Sequence, residues 1–99
     1  MVDEALIYSA KMAKRLTTDF YDLEVERLLN AAMLDMGVAG VVIPEEVDDL
    51  VRQAAITYFL MHFGQPDNYD ELKRSYDEQK AQLSNATGYT EWTEVTSST

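Results

Sequence analysis

The sequence has no cysteine and only one histidine, His62, in 99 residues. The lack of cysteine excludes disulfides, thiolate catalysis and zinc–thiolate sites. His62 lies among aromatic residues of an apolar segment, where we expect a core residue rather than a ligand or a base. The sequence also lacks a glycine-rich phosphate loop, a calcium loop and the Glu-x-x-His pairs of di-iron bundles. It therefore indicates no catalytic, cofactor-binding or metal site.

Basic residues are scarce, with eight lysines and arginines against eighteen acids and a formal net charge of −10. An acidic chain does not neutralise phosphates, so we expect neither specific DNA binding nor attraction to anionic membranes. No apolar run approaches the roughly 20 residues of a transmembrane helix, and the first residues lack a basic-then-apolar signal layout. These features favour a cytosolic or particle-associated protein.

The apolar residues that are present, 46% of the chain, concentrate in the segment 47–64. Their spacing of three and four residues predicts a helix. Towards its C-terminal end this helix is apolar on nearly every side, which is typical of a helix with several neighbours. Its apolar residues are Val47, Leu50, Val51, Ala54, Ala55, Ile56, Tyr58, Phe59, Leu60, Met61 and Phe63.

Three further helices are predicted around this central helix. The first covers 3–16; the second begins at Asp19 or Asp22 and ends at Met36, with Gly37 as its cap; the last runs from Asn68 to about Ala86. The sequence thus predicts an all-α fold, a small bundle of about four helices in residues 1–87. An extended, flexible C-terminal tail, rich in threonine and serine, is predicted for 88–99.

Two features outside the helices are candidate interface elements. Val41, Val42 and Ile43 form an apolar connection, which either packs against the core or meets a neighbouring subunit. Tyr89 and Trp92 are large aromatic residues in the polar tail, of the kind that anchor interfaces. The alternative for Trp92 is that it folds back onto its own bundle or that the tail stays disordered.

Four segments together carry a resemblance to a known family. Their most specific parts are the Tyr-x-x-x-His-Phe-Gly pattern at 58–64 and the Thr-Gly-Tyr-Thr-x-Trp pattern at 87–92. The segments are 26–37, 54–64, 76–83 and 87–92. In this order they resemble the small head–tail connector (head-completion, or DNA-packaging adaptor) proteins of long-tailed bacteriophages and prophages, over residues 5–92.

The resemblance implies a helical bundle that assembles as a ring beneath the portal and extends the DNA channel. The implied partners are the portal protein, the next connector or stopper, and other copies of the chain. The implied protein is non-enzymatic and cofactor-free. It would reside at the head–tail interface of the virion, and in the host cytoplasm during assembly.

The acidic residues fit this resemblance as channel-facing groups. Carboxylates that face the lumen repel phosphates, so DNA passes without specific binding. The first candidates are Glu45, Glu46, Asp48 and Asp49, and a second group lies in 70–78. Solvated helix N-termini are the simpler interpretation of the first group.

Two other classes of function remain open at this level. One is an acidic protein-binding inhibitor or DNA mimic, which the net charge favours but which gives the apolar connection no role. The other is a ligand- or metal-binding helical-bundle enzyme, which would need a polar cavity or a metal.

Overall fold

The computed structural model describes residues 2–43 and 49–85 and is helical within them. The helices are α1 (Glu4–Ala13), α2 (Asp22–Val38), α3 (Asp49–His62) and α4 (Tyr69–Asn85). No strand occurs within these two ranges. The predicted all-α fold is confirmed. The boundary between residues 87 and 88 and the tail lie outside the described residues.

Helix α3 is the central element, because it packs against each of the other three helices. Its fully covered side chains include Ala54, Ala55 and Phe59. Small and large side chains are thus both buried on this helix, as close packing in a core requires. The predicted central role of this helix is confirmed.

The other helices each contribute one apolar stripe to the core around α3. In α2 the stripe follows steps of three and four residues, the spacing of one helical face. The buried residues outside α3 are Leu6, Ala10, Val25, Leu29, Ala32, Met36, Val41, Tyr76 and Leu83.

Helix α1 has a defined cap at each end. The Asp3 carboxylate accepts a hydrogen bond from the backbone N–H of Leu6 (2.9 Å), which stabilises the first turn. At the other end Arg15 has a φ of 60°, and the N–H of Leu16 donates to the carbonyl of Lys11 (2.8 Å). This is the hydrogen bond of a Schellman motif. The predicted helix was therefore three residues too long at this end.

Helix α2 ends later than predicted, because Gly37 is helical and the helix continues to Val38. The residue with positive φ is Gly40 (φ 96°). The N–H of Val41 donates to the carbonyl of Met36 (3.0 Å), which closes a Schellman motif over buried side chains. The prediction of Gly37 as the cap is wrong, because the helix continues past it and the left-handed residue of the Schellman motif is Gly40.

We expect Gly40→Ala and Gly37→Ala to change stability in opposite directions. A methyl group at Gly40 meets no atom within 4 Å, but the positive φ is unfavourable for alanine. The variant should lose about 1 kcal/mol in the free energy of unfolding. Gly37→Ala also meets open space, and in a helix it should gain roughly 0.5–1 kcal/mol. Urea unfolding measures both values, and two changes of the same sign would contradict this account.

Candidate assembly surface

The apolar connection 41–43 divides between core and surface. Val41 is only 4% exposed and belongs to the core, which is the first of the two alternatives for this segment. At the turn formed by Gly40 the chain folds back, so that the N–H of Val41 donates to the carbonyl of Met36 and the Val41 side chain joins the core. Val42 is 40% exposed, and Ile43 is half-buried against the core. Of the three residues, Val42 offers the most surface to a partner.

The outer face of α2 carries further exposed apolar residues, which sequence reasoning missed. Leu34 is 73% exposed and Val38 is 89% exposed. They lie four residues apart and therefore share one face of the helix. The signal was present in the sequence, because neither residue falls on the stripe that ends at Met36. Leu34 and Val38 are called the assembly patch below.

A polar cluster fixes the helix that carries the assembly patch. The Asp35 carboxylate accepts hydrogen bonds from the hydroxyl of Tyr76 (2.7 Å) and the ammonium of Lys80 (2.9 Å) on α4. The same ammonium lies 5.0 Å from the centre of the Tyr76 ring, within cation–π distance. Because Asp35 adjoins Leu34 in the chain, α4 holds this part of α2 in place.

The ionisation of the cluster follows from its contacts. Partial burial opposes the charged form of Asp35, but the hydrogen bonds from Tyr76 and Lys80 outweigh it and place the pKa of this carboxyl below its usual value. Burial, with the hydrogen bond to Asp35, raises the pKa of Tyr76 well above its ordinary range. Burial also raises the pKa of Tyr58, whose ring contacts that of Tyr76 (5.3 Å between centroids). At neutral pH Asp35 is therefore ionised, whereas Tyr76 and Tyr58 keep their phenolic protons.

His62 is exposed, so the prediction that it belongs to the core is wrong. The centre of its ring lies 4.4 Å from the centre of the Tyr58 ring and 6.3 Å from the centre of the Tyr69 ring. His62 is the last residue of α3, where the chain turns away towards α4. The tyrosines therefore flank the imidazole without enclosing it.

Of the first group of candidate channel acids, Asp49 lies in the described part of the chain. Its side chain is fully exposed at the start of α3, with a carboxylate oxygen 4.0 Å from Nε of Arg52. Glu45, Glu46 and Asp48 lie outside the described residues, as do the candidate interface residues Tyr89 and Trp92. In the second group the described acids are Asp70, Glu71, Asp77 and Glu78, and all four are exposed.

A cavity of about 130 Å³ lies between α3 and α4. Leu50 and Gln53 line it from α3, and Gln79, Gln82 and Leu83 line it from α4. The side-chain oxygen of Gln79 is buried and has no hydrogen-bond partner within the described residues. The cavity is therefore lined by leucine side chains and glutamine amides, and its lining contains neither a carboxylate nor a basic group.

The described residues contain neither a metal-binding group of side chains nor a membrane-spanning helix. Nowhere in 2–43 or 49–85 do three or more histidine, aspartate or glutamate side chains group in a way that could hold a metal ion. Among the same residues, no helix combines the length and the hydropathy needed to cross a membrane.

The cluster around Asp35 predicts a pH-dependent contribution to stability. Asp35→Asn should lower the free energy of unfolding by about 1 kcal/mol above pH 5, a value reduced because the carboxylate is partly exposed. The pKa of Asp35 is lower in the folded state than in the unfolded state. The difference between wild type and variant should therefore be constant above the unfolded pKa and vanish as pH falls through the folded pKa. Urea unfolding over a pH series measures it.

Asp77→Asn is the matched control for this measurement. Asp77 also accepts from a lysine, Lys73, at 2.8 Å, but the pair is exposed at the surface of α4. Its contribution to stability should be smaller than that of the Asp35 cluster, because solvent screens an exposed ion pair. Equal losses in the two variants would show that the Asp35 cluster is an ordinary surface pair.

Comparison with known proteins gives no further assignment: no family model, no curated protein and no solved structure matches this chain significantly.

Proposed function

We propose that this chain is a structural head–tail connector of a tailed bacteriophage or prophage. It assembles as a ring below the portal protein and extends the DNA channel towards the next connector or stopper. The observation that carries the proposal is the assembly patch, where Leu34 and Val38 project from a helix whose opposite face is already buried in the core. That this assembly is a ring below the portal is inferred from the sequence resemblance to connector proteins.

A ring requires each subunit to present two different surfaces, because the contacts run head to tail around the axis. The assembly patch supplies one of them. Full burial of a leucine or valine side chain contributes roughly 1.5–3 kcal/mol, and the same contact repeats at every subunit boundary. Such a contact is needed, because subunits with a net charge of −10 repel one another.

The excess of acids suits a channel through which DNA slides. In this proposal Glu45, Glu46, Asp48 and Asp49 face the lumen and repel the phosphates. Tyr89 and Trp92 anchor the tail on the portal or on the next connector, where rigid aromatic side chains give a large contact area. The working location is the head–tail interface of the virion, reached from the host cytoplasm.

A second candidate function is an acidic inhibitor or DNA mimic that binds a basic protein. The net charge of −10 favours it. It gives no role to the exposed Leu34 and Val38, since charge pairing with a basic partner does not need an apolar patch. The connector function accounts for both features.

The double variant Leu34→Ser, Val38→Ser should fold normally, because both side chains are exposed, but it should fail to form rings on portal-bearing heads. Electron microscopy of DNA-filled heads mixed with the purified protein measures ring occupancy. Leu50→Ser on α3 is the control, because Leu50 is also exposed and lies outside the patch. Circular dichroism checks that both variants keep their helices.

Normal ring occupancy with the double variant would remove the assembly patch from the proposal. Tight one-to-one binding of a basic protein, with no ring on any head, would replace the connector function by the inhibitor function.

Charge reversal should affect DNA movement rather than assembly. We expect Glu45→Lys, Glu46→Lys, Asp48→Lys and Asp49→Lys together to leave the ring intact but to slow DNA ejection, with a stronger effect at low ionic strength. The matching glutamine and asparagine variant should have a weaker effect, because it removes the repulsion without adding attraction. Fluorescence measurement of ejected DNA follows the rate. An unchanged rate in particles that carry the ring would show that these acids do not face the channel.

A further inference from the structure

A groove of about 350 Å³ runs between α1 and α2, at the opposite end of α2 from the assembly patch. Its apolar floor consists of Ile7 and Tyr8 from α1 and Leu23 from α2. Ile7 is half-buried against the core, whereas Tyr8 is 63% exposed and Leu23 is 73% exposed. Two large apolar side chains therefore remain open to solvent in a concave part of the surface.

The one basic residue that lines the groove is already paired. The ammonium of Lys11 lies 2.7 Å from a carboxylate oxygen of Asp22 and 3.2 Å from one of Asp19. The side chain of Lys11 is mostly buried beneath these contacts. The hydrogen bond to Asp22, with a smaller contribution from Asp19, raises the pKa of Lys11, so this cation stays charged and satisfied.

The groove also carries two carboxylates with no cation of their own. Glu4 in the first turn of α1 and Glu26 in α2 line it, and neither forms an ion pair within the described residues. The surface thus combines an apolar floor with uncompensated negative charge. That combination complements a segment with an apolar side chain and a neighbouring positive charge.

We propose that the groove between α1 and α2 binds a basic amphipathic segment of a partner protein. An apolar side chain of the partner packs on Tyr8 and Leu23, and a lysine or arginine near it pairs with Glu4 and Glu26. A second copy of this chain is the poorer occupant, because it brings a net charge of −10 to an acidic surface. The proposal goes beyond the connector function, since the groove needs neither a ring nor a portal to bind.

The chain offers a matched pair of residues to test this site. Leu23 and Leu34 are both leucines of α2 and are both 73% exposed. They lie eleven residues apart, which is about 16 Å along a helix. Leu23 lines the groove, whereas Leu34 belongs to the assembly patch. If substitution of only one of these leucines weakens binding, that leucine identifies the surface that the partner occupies.

The probe is a synthetic helical peptide with leucine along one face and lysine along the other, added to the full-length ¹⁵N-labelled protein. We expect chemical-shift changes confined to α1 and the first turns of α2. Leu23→Ser should weaken binding about tenfold, and Leu34→Ser should change it less than about twofold. A peptide with glutamate in place of every lysine should not bind.

The charged half of the site is tested by the double variant Glu4→Gln, Glu26→Gln. It should weaken peptide binding by about fivefold at low ionic strength and by less in high salt. Asp70→Asn with Glu71→Gln removes as much charge from exposed positions on α4 and should leave the affinity unchanged. Shift changes centred elsewhere, or equal losses with Leu23→Ser and Leu34→Ser, would overturn the proposal. Neither outcome would affect the ring test, which uses heads and a different surface.

Discussion

The burial of α3 between three other helices is the constraint on which the rest of the structure depends. An apolar helix of this kind loses stability on every side that remains in water. Each of the other helices therefore provides a stripe that covers part of it, down to Tyr76 and Leu83 on an otherwise polar α4. The Asp35 cluster then links α4 to α2 across the bundle. One apolar segment thus determines how four helices are arranged.

Covering α3 uses only one face of α2, and the other face stays apolar in part. Leu23 lies at the start of that outer face, and Leu34 and Val38 lie near its end. Single exposed apolar side chains are ordinary, whereas contiguous apolar patches and grooves mark interaction sites. The same helix therefore contributes to the core, to the assembly patch and to the groove. This suits a subunit whose proposed work is contact with several partners.

Charge and apolar surface have different roles in this proposal. The net charge of −10 opposes close approach of identical chains and of DNA phosphates. The proposed association between copies therefore relies on apolar contact at Leu34 and Val38. The proposed recognition of a basic segment uses apolar contact at Leu23 together with charge pairing at Glu26. The two surfaces on α2 are distinguishable on this physical basis.

The sequence predicted the helical class and the central helix, because these follow from the spacing of apolar residues. The last helix, for example, was predicted from Asn68 to about Ala86, and α4 runs over Tyr69–Asn85. The sequence misplaced His62 and named Gly37 instead of Gly40 as the cap. It also left Val41 open between core and interface, and it missed Leu34 and Val38.

The sequence by itself therefore determined which segments are helical and which of them had to be at the centre. Only the tertiary structure decided which apolar residues the core leaves uncovered. The physical reason is that exposure depends on where neighbouring helices pack, which local spacing does not specify. Val41 and Val42 are neighbours in the connection after α2, yet the turn at Gly40 leaves Val41 4% exposed and Val42 40% exposed.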